Sequence, residues 1–287
     1  MFLDLLLGIV FEGGASRAFF SCGVMDALLE EHIIADYVIG ASAGIANGVS
    51  YVSGQYGRNL AIGTKYTADK RYMGVRHLFD KSNRSFYNLQ FVFDDIPNKY
   101  LPFDFDAFAA FEGDVLAVCT NIDTGKAEYI RVPPDDRAFT VLRATCALPV
   151  LFQPIEIDGY KYLDGGLSDP IPFEKAIQDG CDRVIVVLTR ERGYIKKRER
   201  TQTAINLAYR ENKELLRTME SRPQLYNAQR EKLFELERKK RVFVIDPIET
   251  AGFKRTEKDP TKIREIYDQG VERTKSKMSA LREYIGR

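Results

Sequence analysis

Between Leu5 and Val52 the chain runs twice from a short apolar strand, through a turn containing glycine, into a helix. Few folds accommodate that order. Leu5 to Phe11 reads as the first strand, followed by Gly13-Gly14 and a helix over Phe19 to Glu30, with Phe20, Val24, Ala27 and Leu28 on one face. Tyr37 to Gly40 reads as the second strand, and a second helix begins over Ile45 to Val52. Antiparallel neighbours can be joined by a tight hairpin, whereas parallel ones need a crossover, usually a helix. The expected fold class is therefore α/β, a three-layer α/β/α arrangement around a central, mostly parallel sheet.

Val115–Thr120 and Ala127–Val132 read as strands joined through Asp123-Thr124-Gly125. Ile155–Ile157 and Tyr160–Leu163 meet across Asp158-Gly159, a two-residue hairpin signal. Arg183–Leu188 is a continuous β-branched run, as in a strand covered on both faces. Two helices are expected over 203–240, with Pro223 as the break and Ser221 and Gln224 as a capping box for the second. Arg241–Ile245 returns to a strand, and Asp259-Pro260 supplies an N-cap and first-turn proline for a last helix to about Tyr284. Gly270 inside that helix is expected to be a local weakness of about 1 kcal/mol. The aromatic-rich stretch 54–110 fits either a cap over an apolar cleft or an irregular cover of the core. At 287 residues the chain is expected to form a single domain, with a core over about 5–190 and a helical and strand extension over 191–287 packed on it.

Hydrophobic residues make up 45% and charged residues 29%, so a large core is within reach. The net charge of +1 hides an asymmetry: 190–241 holds 16 Lys/Arg against 8 Asp/Glu, and the remainder holds 26 against 33. That basic stretch admits two readings, a face for peripheral contact with an anionic membrane or a solvated helix pair. Its alternating signs and interspersed apolar residues favour the second. Cys22, Cys119, Cys146 and Cys181 form no CxxC pair and sit among apolar neighbours, as reduced buried thiols do. Leu3–Phe11 lacks the basic flank and cleavage site of a signal peptide and is far short of the roughly 20 residues that span a bilayer. A cytoplasmic location is expected, with any membrane contact peripheral.

Gly40-Ala41-Ser42-Ala43-Gly44 fits G-x-S-x-G, and its place between a strand and a helix is that of a nucleophile elbow. A serine needs a base. Both histidines, His32 and His77, precede residue 80, so the order Ser, acid, His cannot be built. His32 reads as a surface residue near a helix end; His77 stays open on sequence grounds, with nothing site-like around it. A carboxylate acting directly on the serine is the economical alternative, and Asp164-Gly165-Gly166, at the end of a strand, is the candidate. A third element, Glu12-Gly13-Gly14-Ala15-Ser16-Arg17-Ala18, offers backbone N–H groups to an oxyanion. It lacks the glycines of a dinucleotide loop and the lysine of a P-loop.

Together these segments resemble the patatin-like phospholipases, specifically their bacterial stand-alone members. The likeness rests on Gly13-Gly14-x-x-Arg17, Gly40-Ala-Ser42-Ala-Gly44 and Asp164-Gly165-Gly166, and extends to Thr124-Gly125-Lys126, Arg143-Ala-Thr-Cys-Ala-Leu-Pro149 and Gly166-Leu-Ser-Asp-Pro-Ile-Pro172. It implies a patatin-like fold and a lipid acyl hydrolase with Ser42 as nucleophile, Asp164 as base and Gly13, Gly14 and Ala15 as the oxyanion hole, flanked by Ser16 and Arg17. It further implies a lipid or acyl-ester substrate, no metal or cofactor and no nucleic-acid partner; the oligomeric state is left open. The family loop usually reads G-G-G-x-R/K-G, and this chain carries Ala15 and Ala18 at two of the glycine positions. Alanine keeps the donor but is strained wherever φ must be positive. The competing expectation is thus a weakened or inactive relative that binds lipid or a partner.

Overall fold

The computed structural model describes residues 5–81, 84–198 and 202–286. Eight strands make one sheet: β1 (Leu7–Phe11), β2 (Tyr37–Ala41), β3 (Asp114–Asn121), β4 (Ala127–Arg131), β5 (Ile155–Ile157), β6 (Tyr160–Asp164), β7 (Arg183–Val187) and β8 (Phe243–Ile245). Their order is β5-β6-β3-β2-β1-β7-β8, with β4 paired to β3 beside that path. β3, β2, β1, β7 and β8 run parallel, while β4 and β6 join β3, and β5 joins β6, antiparallel. The Asp158-Gly159 hairpin has positive φ at both residues, 51° and 81°, as a two-residue turn requires.

The helices are α1 (Phe19–Glu30), α2 (Ala43–Val52), α3 (Arg58–Tyr66), α4 (Phe105–Ala109), α5 (Thr140–Thr145), α6 (Phe173–Gln178), α7 (Gln202–Ala208), α8 (Lys213–Arg238) and α9 (Pro260–Ile285). Alternation along the strands divides them between two layers. Leu7, Ile9 and Phe11 pack with α1, α2 and α9 on one face; Val10 and Ile39 pack with α6 and α8 on the other. The expected three-layer α/β/α architecture is the one observed. Among the described residues no helix is long and apolar enough to cross a membrane.

Three local expectations are corrected. Pro223 does not break a helix: α8 runs through it, and the interruption falls between Ala208 and Lys213. Leu215 and Met219 before the proline, and Tyr226, Arg230 and Leu233 after it, are buried, so packing on both sides offsets the roughly 3 kcal/mol an interior proline costs. Ser221 accordingly caps nothing; its Oγ donates to the Thr218 carbonyl at 3.1 Å, inside α8. In α1, Phe20, Val24, Ala27 and Leu28 are buried as expected, and so is every other residue from Phe19 to Leu28.

The reason lies in α9, which packs backbone to backbone against α1. A Cβ on Gly23 would lie 2.0 Å from the Tyr267 carbonyl oxygen, and one on Gly270 would lie 2.1 Å from that of Phe20. Gly270 is the condition for the two backbones to touch. Asp259 caps α9 as expected, accepting from the Thr261 N–H at 2.9 Å, with Pro260 in the first turn.

A propensity weakness at Gly270 would make Gly270→Ala stabilising by about 1 kcal/mol. The contact predicts the opposite sign, a loss of about 1–3 kcal/mol from overpacking, read from the urea unfolding midpoint.

Candidate active site

Ser42 links β2 to α2 with φ 53° and ψ −135°, a conformation costing about 1–3 kcal/mol that its neighbours must hold. They can do so because the chain doubles back against the end of β1. A Cβ on Gly40 would come within 2.7 Å of the Phe11 carbonyl oxygen, and one on Gly44 within 2.5 Å. The turn projects the Ser42 hydroxyl, which donates to Asp164 Oδ2 at 2.7 Å across 122 residues of sequence.

β3 brings the two together. Residues 116–118 pair with β2 and β4, and residues 119–120 pair with β6 and β4. β2 and β6 therefore share one edge of β3, end to end, with Ala41 opposite Val118 and Asp164 opposite Cys119. Every hydrogen-bonding group of Asp164 is engaged. Its N–H donates to Ala147, its carbonyl accepts from Thr120 Oγ1 at 2.8 Å, and Oδ1 accepts from the Gly166 N–H at 2.8 Å. Burial raises its pKa, while the Ser42 hydroxyl, the Arg222 charge, the Gly166 N–H and Arg255 pull it back in part.

The loop after β1 borders the same spot. Among the described residues nothing accepts from the N–H groups of Gly13, Gly14 or Ala15, whereas the Ser16 N–H donates to the Arg255 carbonyl at 3.1 Å and the Arg17 N–H to Gly14. Ser16 Oγ turns to the Glu257 carbonyl, so this residue anchors the loop. The two alanines differ. Ala15 sits at φ 48°, the left-handed region that favours glycine, and Ala18 at φ −65°, where alanine costs nothing. The loop has kept its left-handed residue despite the substitution. Below it, buried Glu12 accepts from the Thr189 N–H and the Tyr226 hydroxyl, both at 2.6 Å.

Ser42 opens onto two clefts of opposite character. One is apolar, walled by side chains such as Phe19, Val49, Phe93, Phe103, Phe139 and Phe152. Several of these come from the aromatic 54–110 stretch, which also buries Phe103, Phe105 and Phe108 against the core; both of its expected roles are realised. The other cleft is polar and reaches from the Gly13–Ala15 turn to Arg222 and Arg255.

Two neighbours had no role in the sequence reading. Thr145 Oγ1 accepts from the Ser42 N–H at 2.8 Å and donates to the Val118 carbonyl at 2.5 Å, locking the elbow to β3. Its only signal was its place in the 143–149 segment. Cys146 lines the apolar cleft beside Ser42; burial and the Asp164 charge push its thiol pKa up, so it stays protonated. All four cysteines are free. The histidines lie elsewhere: His32 is exposed just beyond α1, and His77 approaches the Lys70 carbonyl and borders neither cleft.

The fold and this arrangement agree with a family match. The chain belongs to the patatin-like phospholipase family, whose model matches residues 9–177, and a second model, described as a domain of unknown function, matches residues 212–286. Over 187 residues it is 25% identical to the uncharacterized protein YjjU of Escherichia coli (strain K12), covering 64% of this chain and 52% of that protein. Over 189 residues it is 25% identical to the lysophospholipase NTE1 of Candida albicans, covering 63% of this chain and 13% of that one. The chain thus spans about half the length of the first relative and a small part of the second. VipD from Legionella pneumophila aligns in structure over 95% of this chain and 67% of its own, with a TM-score of 0.47 and 15% identity.

Thr145→Val, equal in shape but without the hydroxyl, leaves the part-buried Ser42 N–H without its acceptor. It is expected to lower stability by about 1–3 kcal/mol in chemical denaturation. An unchanged unfolding midpoint would remove Thr145 from the elbow's support.

Proposed function

We propose that the protein is a serine acyl hydrolase acting on lipid esters, with Ser42 as nucleophile and Asp164 as general base. The observation that carries this reading is the 2.7 Å hydrogen bond between Ser42 Oγ and Asp164 Oδ2, at a strained elbow beside the N–H groups of Gly13, Gly14 and Ala15, which meet no acceptor among the described residues. Asp164 takes the hydroxyl proton as Ser42 Oγ attacks the ester carbonyl. The developing oxyanion is met by those three N–H groups, each such donor being worth about 3 kcal/mol. Collapse expels the alcohol, which leaves with the proton from Asp164, and an acyl-enzyme remains on Ser42. Water then repeats the sequence with Asp164 again as base, releasing the fatty acid. The acyl chain lies in the apolar cleft. Membership of the patatin-like phospholipase family supports this chemistry, and Ala15, held in the left-handed region, keeps its N–H in place.

Ser42→Ala and Asp164→Asn are each expected to lower hydrolysis of a chromogenic acyl ester about a thousandfold or more while leaving the fold intact. A fluorophosphonate probe should label Ser42 in the wild type. Absence of labelling in folded protein would favour the binding-protein alternative instead.

Asp164 serves as a base only when ionised, so kcat/KM should fall as pH drops through its pKa. Because burial raises that pKa, the acid limb should lie above the ordinary aspartate value of about 3.9. Arg222→Gln removes a positive charge that favours the carboxylate, and the limb should move to still higher pH. A limb that stays put or moves down in the pH–rate profile contradicts the assignment.

A further inference from the structure

The apolar cleft beside Ser42 is not apolar throughout. One wall is α2 with the elbow before it, which contributes Ser42, Ala43, Ala46, Asn47 and Val49. Arg58 stands in the same wall, the one charged side chain among the described residues lining the cleft. Its guanidinium lies 5.3 Å from the centre of the Phe103 ring, another wall residue. Nη1 donates to Ser50 Oγ and Nη2 to the Leu101 carbonyl, both at 3.2 Å, so the group is fixed between α2 and the segment before Phe103.

Those two acceptors are neutral and leave the charge unmatched. Arg58 forms no ion pair among the described residues, and its Nε is buried without an acceptor. Burial, with no carboxylate to offset it, lowers its pKa to about 10. The side-chain amide of Asn47, one turn before Ser50 on α2, also borders the cleft and makes no hydrogen bond among the described residues. A tie to Ser50 and Leu101 needs only neutral donors, so the charge exceeds what that tie requires. Taking a charge out of water is costly unless a partner replaces the water, and a plain alkyl chain laid over Arg58 supplies none. A carboxylate does, through charge-assisted bonds to the guanidinium fork.

We propose that the cleft takes an acyl group whose far end carries a carboxylate, the half-ester of a dicarboxylic acid, and that Arg58 and Asn47 receive that carboxylate. The proposal rests on the esterase reading for which end of the substrate lies at Ser42, though the carboxylate site stands apart from the chemistry there. The bond cleaved is unchanged: water hydrolyses the ester to the alcohol and the diacid. Chain length follows from the helix. Ser50 comes two turns after Ser42, so Arg58 is anchored about 12 Å along α2 from the nucleophile. A hydrogen bond takes about 3 Å of that span, and an extended chain advances about 1.3 Å per carbon, so an acid of about seven to nine carbons fits best.

The test pairs p-nitrophenyl half-esters of linear dicarboxylic acids, from about five to twelve carbons, with esters of the monocarboxylic acids of equal length. In the wild type, kcat/KM should favour the dicarboxylic series, and the preference should peak at intermediate length. Arg58→Met should cut the ratio between the two series about tenfold or more. Arg58→Lys, which keeps the charge without the fork, should retain part of it. Asn47→Leu leaves the Arg58 contacts in place and should lower the ratio by a smaller factor, which keeps the test open should the Arg58 variants melt early. A role confined to holding Ser50 and Leu101 would slow both series alike. An unchanged ratio in Arg58→Met therefore overturns the proposal, as does a wild type without preference at any length. If no ester is hydrolysed, the esterase reading fails alone. Calorimetric binding of monomethyl suberate to the wild type, lost in Arg58→Met, would still support the carboxylate site, and no binding would overturn it. Thermal melts of each variant verify folding.

Discussion

The geometry of the site depends on one edge of one strand. β3 pairs with β2 along its first half and with β6 along its second, so Val118 and Cys119 act as adjacent marks on a single ruler. Ser42 follows the residue opposite the first mark, and Asp164 is opposite the second. The 2.7 Å bond between them is thus a consequence of register, and slipping either strand by one residue would turn its side chain to the other face. Thr145 and Thr120 reinforce this arrangement, each bonding a backbone group of the dyad to β3 or its neighbour.

Burial gives the pair its chemical character. A carboxylate 2% exposed to solvent is costly unless its oxygens are occupied, and here Ser42 and the Gly166 N–H occupy them. The same burial raises the Asp164 pKa, so its carboxylate takes up a proton more readily than an exposed one. Arg222 and Arg255 act in the opposite direction and keep the ionised form within reach, so the electrostatics of the polar cleft and those of the dyad are linked.

The last hundred residues are tied into this centre. β8 adds a strand beside β7, α9 presses its backbone against α1 through Gly270, and the carbonyls of Arg255 and Glu257 hold Ser16. The glycine-poor loop is therefore pinned from outside its own segment, which explains how Ala15 can remain in the left-handed region. Tyr226 from α8 does the same for Glu12 beneath the loop.

Local chemistry was legible in the chain. Alternating apolar strands and glycine turns announced the parallel α/β core, Asp158-Gly159 its hairpin, Asp259-Pro260 the start of α9, and Gly-x-Ser42-x-Gly with Asp164-Gly-Gly the residues that meet. Such signals are short-range, fixed by side-chain period and by backbone angles that few residues tolerate. Features set by contacts between distant segments were not legible. Pro223 looked like a break and lies within α8, Gly270 looked like a weakness and is a helix crossing, and Thr145 carried no visible role. Nor could the sequence say that of two alanines in one loop only Ala15 is strained, because φ at that position is imposed by the segment that bonds to its neighbour Ser16. Propensity and pattern decide what a segment can form; packing between remote segments decides which of those options is kept and what it touches.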